Sequence, residues 1–146
     1  FDLVPRVVAR LGGETLFHGV NIKPGKPVLC ARFGRHLLVG LPGNPLACLV
    51  LWRLLVRPLA ARLAGDRAAL EERPVAARAA ARIRNGGERL LFRPARLTAD
   101  DAGPVAAVLP WRGSHDLLAG AAANALVRLE PGADVEEGSL LACYRL

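Results

Sequence analysis

The chain has 146 residues, 52% of them hydrophobic and 23% charged, which is ordinary for a folded globular protein with one modest core or two small ones. Its most apolar stretch, at positions 46–63, is interrupted by arginines and a proline, which argues against a membrane span. The three cysteines, Cys30, Cys48 and Cys143, are too widely spaced for a disulfide framework or a zinc motif, and they suit a reducing cytoplasm.

The formal net charge of +7 is confined to the first part of the chain. Residues 1–65 hold nine Lys and Arg against Asp2 and Glu14, whereas residues 66–146 hold eleven Arg against eleven Asp and Glu. Such an excess of positive charge attracts anionic ligands. Because the sequence shows neither a stacking platform nor a recognition helix, we expect a small, highly charged ligand rather than nucleic acid.

The first 65 residues predict an α/β unit. Residues 2–11 predict a short helix with Asp2 as its cap. Three strand-like runs follow, at residues 14–22, 28–33 and 36–41. Asn44 is typical of the start of a helix, which Pro58 is expected to kink and Gly65 to end.

After a charged linker at residues 66–74 the pattern changes to short strands separated by turns. Five runs are strand-like, at residues 75–84, 89–97, 105–109, 125–129 and 139–144. The alanine-rich run 76–81 is also compatible with a helix, which propensity alone favours. The regular spacing predicts an all-β domain, a small barrel, over residues 74–146, after the α/β part at residues 1–65.

The only two lysines of the chain lie in the motif Lys23-Pro24-Gly25-Lys26-Pro27, whereas the other eighteen basic residues are Arg. Lysine is a compact and mobile point charge. The prolines restrict the backbone and the glycine permits a tight turn, so two ammonium groups share one stiff loop. The loop suits an oxyanion or a phosphate, because an anion between the lysines relieves their repulsion. A solvated basic turn fits the pattern equally well.

A second motif, Gly40-Leu41-Pro42-Gly43-Asn44-Pro45, lies between a predicted strand and a predicted helix. Such a junction directs free N–H groups and the positive end of the helix dipole at the loop, which favours anions. Taken alone, the motif indicates a well-capped helix start without a ligand. Together with the lysine loop, in the basic part of the chain, it favours a shared anion site.

The lysine motif, followed by a strand and then by Gly-Leu-Pro-Gly-Asn-Pro, resembles the signature of the MoeA/gephyrin family of molybdopterin molybdenumtransferases. Phe1-Asp2 before a short helix, Gly113-Ser114-His115 and the run 123–126 are similar to further family segments, so the resemblance covers essentially the whole chain. It implies the C-terminal part of a three-layer α/β molybdopterin-binding domain followed by a C-terminal β-barrel. Since the chain lacks methionine, we expect it to be part of a longer protein.

The resemblance implies molybdenum cofactor biosynthesis, with insertion of molybdate into adenylylated molybdopterin, release of AMP and assistance by Mg²⁺. The catalytic residues would be Asp2, Lys23 and Lys26. The lysines would hold molybdate or substrate phosphates, and Asp2 would be a metal ligand or position the hydrolysed phosphoanhydride. The substrate-binding residues would be Pro24, Gly25, Pro27, Pro42, Gly43, Asn44, Pro45, Arg93, Ser114 and His115. The expected setting is a cytoplasmic homodimer that acts on small anionic substrates and binds neither nucleic acid nor a membrane.

A non-catalytic molybdopterin-binding or partner-binding scaffold module is the alternative, since gephyrin-like relatives grip partner peptides with the same domains. The paired lysines and Asp2 favour an enzyme, because a scaffold has no need of them. The chain departs from the family's usual residues at Gly19, Ala47 and Pro94, where Lys, Ser and Arg are common. A weakened or repurposed enzyme is therefore a further alternative.

Overall fold

The computed structural model describes residues 3–70, 73–113 and 115–146. Its first part begins with α1 (Val4–Arg10) and a three-stranded antiparallel sheet in the order β1-β3-β4. The sheet strands are β1 (Glu14–His18), β3 (Leu29–Phe33) and β4 (His36–Gly40), and the two-residue strand β2 (Ile22–Lys23) lies apart from them. Val8 of α1 packs on Leu29 and Ala31, which gives this sheet a small core of its own.

The helical region after the sheet is irregular, continuous over residues 45–64 and followed by a separate short helix. It consists of α2 (Pro45–Leu51), a π-helical turn (Trp52–Val56), α3 (Arg57–Ala64) and the short α4 (Arg67–Leu70). The π-helical turn lies just before Pro58, which has no N–H to donate to the preceding turn, and the expected kink stays a prediction. Gly65 ends α3 in the left-handed conformation, with φ of 74°. The expected linker at residues 66–74 contains α4.

The second part is a barrel-like sheet. Its strands are β5 (Val75–Ala79), β7 (Leu90–Asp100), β8 (Gly103–Val108), β9 (Ala125–Leu129) and β11 (Leu140–Arg145). Consecutive pairings run β7-β8-β5-β11-β9 and return from β9 to β7, so these strands close into a ring. A separate small ladder joins β6 (Ile83–Arg84) to β10 (Asp134–Val135). The prediction of an α/β part followed by a barrel is confirmed.

Two local features of the second part, a strand and a helix, are explained by burial and by capping. The alanine-rich run forms β5 rather than a helix, because Ala77 and Ala79 alternate inward and are buried in the barrel core. The helix α5 (Leu117–Ala122) was not predicted from the sequence. Asp116 caps it, since its carboxylate accepts a hydrogen bond from the N–H of Ala119 at 3.1 Å.

The two parts are joined by a strand pairing and by a shared apolar cluster. β2 pairs in parallel with β7, with Ile22 opposite Leu90 and Lys23 opposite Leu91. Val50 of α2 packs in one buried cluster with barrel residues Phe92 and Leu126. The domain boundary near residues 66–74 stays a prediction. No helix in the described part of the chain is long and apolar enough to cross a membrane.

Candidate functional site

The lysine loop is held by close packing against α2. Its backbone turns at Gly25, where φ is +122° and a Cβ atom would lie 3.0 Å from Cγ of Leu51. The peptide bond between Lys23 and Pro24 is cis, and Pro24 and Gly25 are both buried. Lys23 and Lys26 are exposed on either side of this buried turn. The buried turn therefore anchors the loop and leaves both ammonium groups facing solvent.

Lys23 and Lys26 line one cleft of about 740 Å³ between the loop and the barrel. The other lining residues are Asn21, Arg84, Asn85, Gly86, Gly87, Glu88, Arg89, Leu91, Arg93 and Trp111. Five of the lining side chains are Lys or Arg, whereas Glu88 is the only carboxylate among them. The structure thus brings the two lysines and Arg93 to one strongly basic cleft.

Most of this positive charge has no counter-ion in the described part of the protein. Arg84 is paired, since its Nε atom lies 2.7 Å from Oδ2 of Asp134. No described carboxylate forms a salt bridge with Lys23, Lys26 or the other two arginines of the cleft. The cleft therefore presents four cations that an anionic ligand can neutralise.

Arg93 lies deepest among these cations. On β7 it lies on the same face as the buried Leu91 and Ala95, which is the inner face of the barrel. Its Nη2 donates to the carbonyl of Leu109 at 3.2 Å, and its Nε is buried without a hydrogen-bond partner among the described residues. Burial lowers the pKa of the Arg93 guanidinium from its ordinary value. An anion in the cleft would offset this desolvation.

Trp111 forms the wall beside Arg93 and Lys23. The centroid of an indole ring of Trp111 lies 5.6 Å from Nζ of Lys23 and 5.2 Å from Cζ of Arg93. The indole N–H donates a hydrogen bond to the carbonyl of Gly113. The sequence favoured a core residue or an interface anchor for Trp111, because nothing in its spacing indicates which cations lie near it.

The opposite wall is a loop held by the buried Asn85. Its side-chain NH₂ donates to the carbonyls of Arg89, Leu129 and Glu130 at 2.9, 3.2 and 2.8 Å. Its side-chain oxygen accepts from the N–H of Gly87 at 3.2 Å. Arg89 in turn donates to the carbonyl of Ile22 at 3.3 Å, which ties this wall to β2. The sequence predicted only a turn at this loop. Arg89, which follows the turn, was the one residue that could have indicated a basic site.

The other predicted site residues lie elsewhere. Pro27, Pro42, Gly43 and Asn44 line a separate cleft of about 370 Å³, so both motifs border this second cleft, but Lys23 and Lys26 do not line it. Pro45 lies in an apolar groove between α2 and α5, and His115 is exposed in the turn before α5. Asp2 and Ser114 lie outside the described residues.

The described residues contain no group of three or more His, Cys, Asp or Glu side chains that could hold a metal ion. Asp2, to which the resemblance assigns a metal, lies outside the described residues. In the cleft itself Glu88 is the only described carboxylate. Mg²⁺ in proteins usually binds one or two carboxylates together with substrate phosphates. Of the described side chains in the cleft, Glu88 is therefore the one that could contribute a carboxylate to Mg²⁺.

Comparison with known proteins finds a matching family model for each half of the chain. Residues 1–62 match the family model described as a probable molybdopterin binding domain, and residues 76–146 match that of the MoeA C-terminal region, domain IV. The chain belongs to the MoeA family. Both matches agree with the resemblance that the lysine motif and the Pro-Gly-Asn-Pro motif carry.

Similar proteins agree with this assignment along most of the chain. The molybdopterin molybdenumtransferase of Haemophilus influenzae is 30% identical over 130 residues, which are 88% of this chain and 32% of that protein. That of Staphylococcus aureus is 30% identical over 134 residues, 90% of this chain and 31% of that protein. This MoeA-family chain thus spans about a third of the length of these relatives.

A solved structure shows the same fold. The molybdopterin biosynthesis MoeA protein of Pyrococcus horikoshii superposes with a TM-score of 0.81 at 29% identity, over 99% of this chain and 34% of that one. The predicted membership of the family is therefore confirmed, and the chain corresponds to the α/β and barrel portions of MoeA.

Proposed function

We propose that this MoeA-family chain carries the anion-binding part of a molybdopterin molybdenumtransferase, which inserts molybdate into adenylylated molybdopterin and releases AMP. The observation that supports the proposal is the cleft in which Lys23, Lys26, Arg89 and Arg93 meet without a described carboxylate partner. The relatives in Haemophilus influenzae and Staphylococcus aureus bear the name of this activity. The proposed role lies in molybdenum cofactor biosynthesis.

The arrangement of the cations suits the proposed reaction. Lys23 and Lys26 come from the α/β part as mobile point charges, whereas Arg89 and Arg93 come from the barrel as planar forks. A tetrahedral oxyanion between them would accept charge-assisted hydrogen bonds from both parts. Cations fixed in this way also stabilise the negative charge that develops on a departing phosphate. The cleft would therefore both bind molybdate and favour the release of AMP.

Magnesium belongs to the proposal through the resemblance alone. Mg²⁺, if bound, would neutralise substrate phosphates, and Asp2 and Glu88 are the residues of this chain proposed to assist it. The chain's own cations bind and orient the anion without it. A cytoplasmic homodimer is likewise part of the proposal, and sedimentation of the purified protein measures its oligomeric state.

A partner-binding module is the second candidate function, and an apolar groove of about 450 Å³ favours it. The groove lies between α2 and α5, where Trp52 and Leu117 remain 52% and 61% exposed. Apolar surface of this kind is common at protein–protein interfaces. The enzyme proposal is preferred because a partner bound in the apolar groove would not explain the unpaired cations, which lie in the separate basic cleft.

Substitution of Lys26 by Ala in the protein at its full natural length tests the proposal. We expect molybdate-dependent AMP release to fall about tenfold, since a hydrogen bond to a charged group contributes about 1.5 kcal/mol or more. Added salt should weaken molybdate binding more in the unsubstituted protein than in the variant, because screening acts on the charge that was removed.

Arg35→Ala is the matched control. Arg35 is an exposed cation in the turn between β3 and β4, outside the cleft. The control should release AMP at the rate of the unsubstituted protein. Equal rates for Lys26→Ala and Arg35→Ala would show that the cleft does not bind the reacting anion.

A further inference from the structure

Trp111 contacts both parts of the basic cleft at once. Lys23 reaches it from the end of β2, and Arg93 reaches it from β7, so one indole ring contacts cations from the two halves of the chain. The two cations carry the same charge and repel each other, and neither forms a salt bridge with a described carboxylate. The negative face of an aromatic ring attracts cations within about 6 Å, and attraction is strongest for Trp.

The indole ring is itself fixed by the turn that follows it. Its N–H donates to the carbonyl of Gly113, and that carbonyl also accepts from the N–H of Asp116 at 3.0 Å. The Asp116 carboxylate accepts from the N–H of Arg112 at 3.1 Å and caps α5. Gly113 has φ of +131°, which a residue with a side chain rarely adopts. The ring is therefore held by hydrogen bonds while the two cations have flexible stems.

We propose that Trp111 is a positioning residue, which holds the Lys23 ammonium and the Arg93 guanidinium on one wall of the cleft so that a tetrahedral oxyanion meets both. This inference rests on the proposed function and names the residue that prepares its anion site. Without the ring, the exposed Lys23 side chain would lose the contact that holds its ammonium group beside Arg93. The oxyanion would then have to order that side chain at the moment of binding.

A role in the barrel core alone is the competing explanation. Trp111 packs against the core cluster of the barrel together with Leu97, Val108 and Val135. Core packing requires an apolar side chain of suitable volume, whereas cation positioning requires an aromatic face. Two substitutions separate these roles: Trp111→Phe keeps an aromatic face, and Trp111→Leu keeps only an apolar side chain.

The test uses the protein at its full natural length and sodium molybdate as the probe, with the dissociation constant measured by calorimetry. We expect Trp111→Leu to raise this constant about tenfold and Trp111→Phe about threefold or less, since the first removes both cation–π interactions and the second only weakens them. The molybdate concentration that gives half-maximal AMP release should rise by the same factors, because positioning acts on anion binding. Melting temperatures are recorded for each variant to establish that it is folded during the titration.

A fluorescence titration provides an independent readout of the ring itself. The titration uses a variant in which Trp52 and any other tryptophan except Trp111 are replaced by Phe. The emission of Trp111 should change when molybdate is added, because the cations over the ring move onto the anion. Trp52 lies in the apolar groove, outside the basic cleft.

Three results would overturn the inference in distinguishable ways. A lower melting temperature in Trp111→Leu with an unchanged dissociation constant would assign Trp111 to the core alone. Equal losses of affinity in the Phe and Leu variants would show that the aromatic face is not what matters. An unsubstituted protein that binds no molybdate would contradict the proposed function itself, and the inference with it.

Discussion

At the scale of single residues, Asn85 is the polar side chain on which the cleft most depends. Its side-chain NH₂ donates to the carbonyls of three residues, and replacement by Ala would remove these hydrogen bonds, of which the one to Leu129 is buried. We expect Asn85→Ala to lower the free energy of unfolding by about 1–3 kcal/mol. Chemical denaturation measures this loss. Asn21→Ala is the control, because Asn21 is exposed at the same cleft and should change stability by less than about 0.5 kcal/mol.

The sequence indicated some residues of the cleft and missed others for a physical reason. Lys23 and Lys26 were recognisable because they are the only lysines and share one stiff loop. Asn85, Arg89 and Trp111 come from two other segments, and closure of the barrel brings them to that loop. Such long-range closure leaves no trace in local spacing. The contribution of Arg93 was foreseen from the family resemblance rather than from the residue pattern.

At the scale of elements, the ladder between β6 and β10 depends on one carboxylate. Asp134 lies between Arg82 and Arg84, and the hydrogen bond from Arg82 is the largest cause that lowers the pKa of the Asp134 carboxyl. A carboxyl with a lowered pKa in the folded state adds stability above its unfolded pKa of about 3.9. That stability is lost as the pH falls through the folded-state pKa.

We therefore expect Asp134→Asn to be less stable than the unsubstituted protein at pH 7 and to lose less stability between pH 5 and pH 2. Urea denaturation at a series of pH values measures both effects. Asp101→Asn is the control, because Asp101 is exposed in the turn between β7 and β8 and forms no salt bridge with a described residue. Parallel pH profiles for the unsubstituted protein and Asp134→Asn would contradict the assignment.

Elements with a clear period were predictable, whereas those set by packing were not. The strand at 125–129 has the predicted bounds, since its apolar run is bordered by turn residues. Burial of every second alanine decided the structure of the run at 76–81 against its helix propensity. The helix α5 has six residues, too few to show a periodic pattern, and is stabilised by its Asp116 cap.

At the scale of the whole molecule, Phe92 links the α/β part to the barrel. Its side chain is 3% exposed, packs with Val50 and Leu126, and meets the ring of Tyr144 edge-on at 5.9 Å. We expect Phe92→Ala to lower the free energy of unfolding by about 3–5 kcal/mol. The matched control Phe17→Ala removes a ring that is 39% exposed and should cost about 1 kcal/mol or less.

The same substitution tests whether the two parts unfold together. Trp52 reports on the α/β part and Trp111 on the barrel, so variants that retain one of the two give separate fluorescence signals. Both signals should change at one denaturant concentration when Phe92 is present and at different concentrations in Phe92→Ala. Divergent signals in the protein that retains Phe92 would show that the shared cluster does not couple the parts.

The two-residue pairing of β2 with β7 limits which insertions and deletions the chain can accept. Lys23 lies opposite Leu91, two positions before Arg93, and side chains alternate between faces along a strand. A slip by one residue would turn Lys23 to the opposite face of the sheet, away from Trp111. Homologous chains should therefore keep a constant number of residues between β1 and the lysine loop. Length variation is expected instead at the exposed turn around Gly34, which joins β3 to β4.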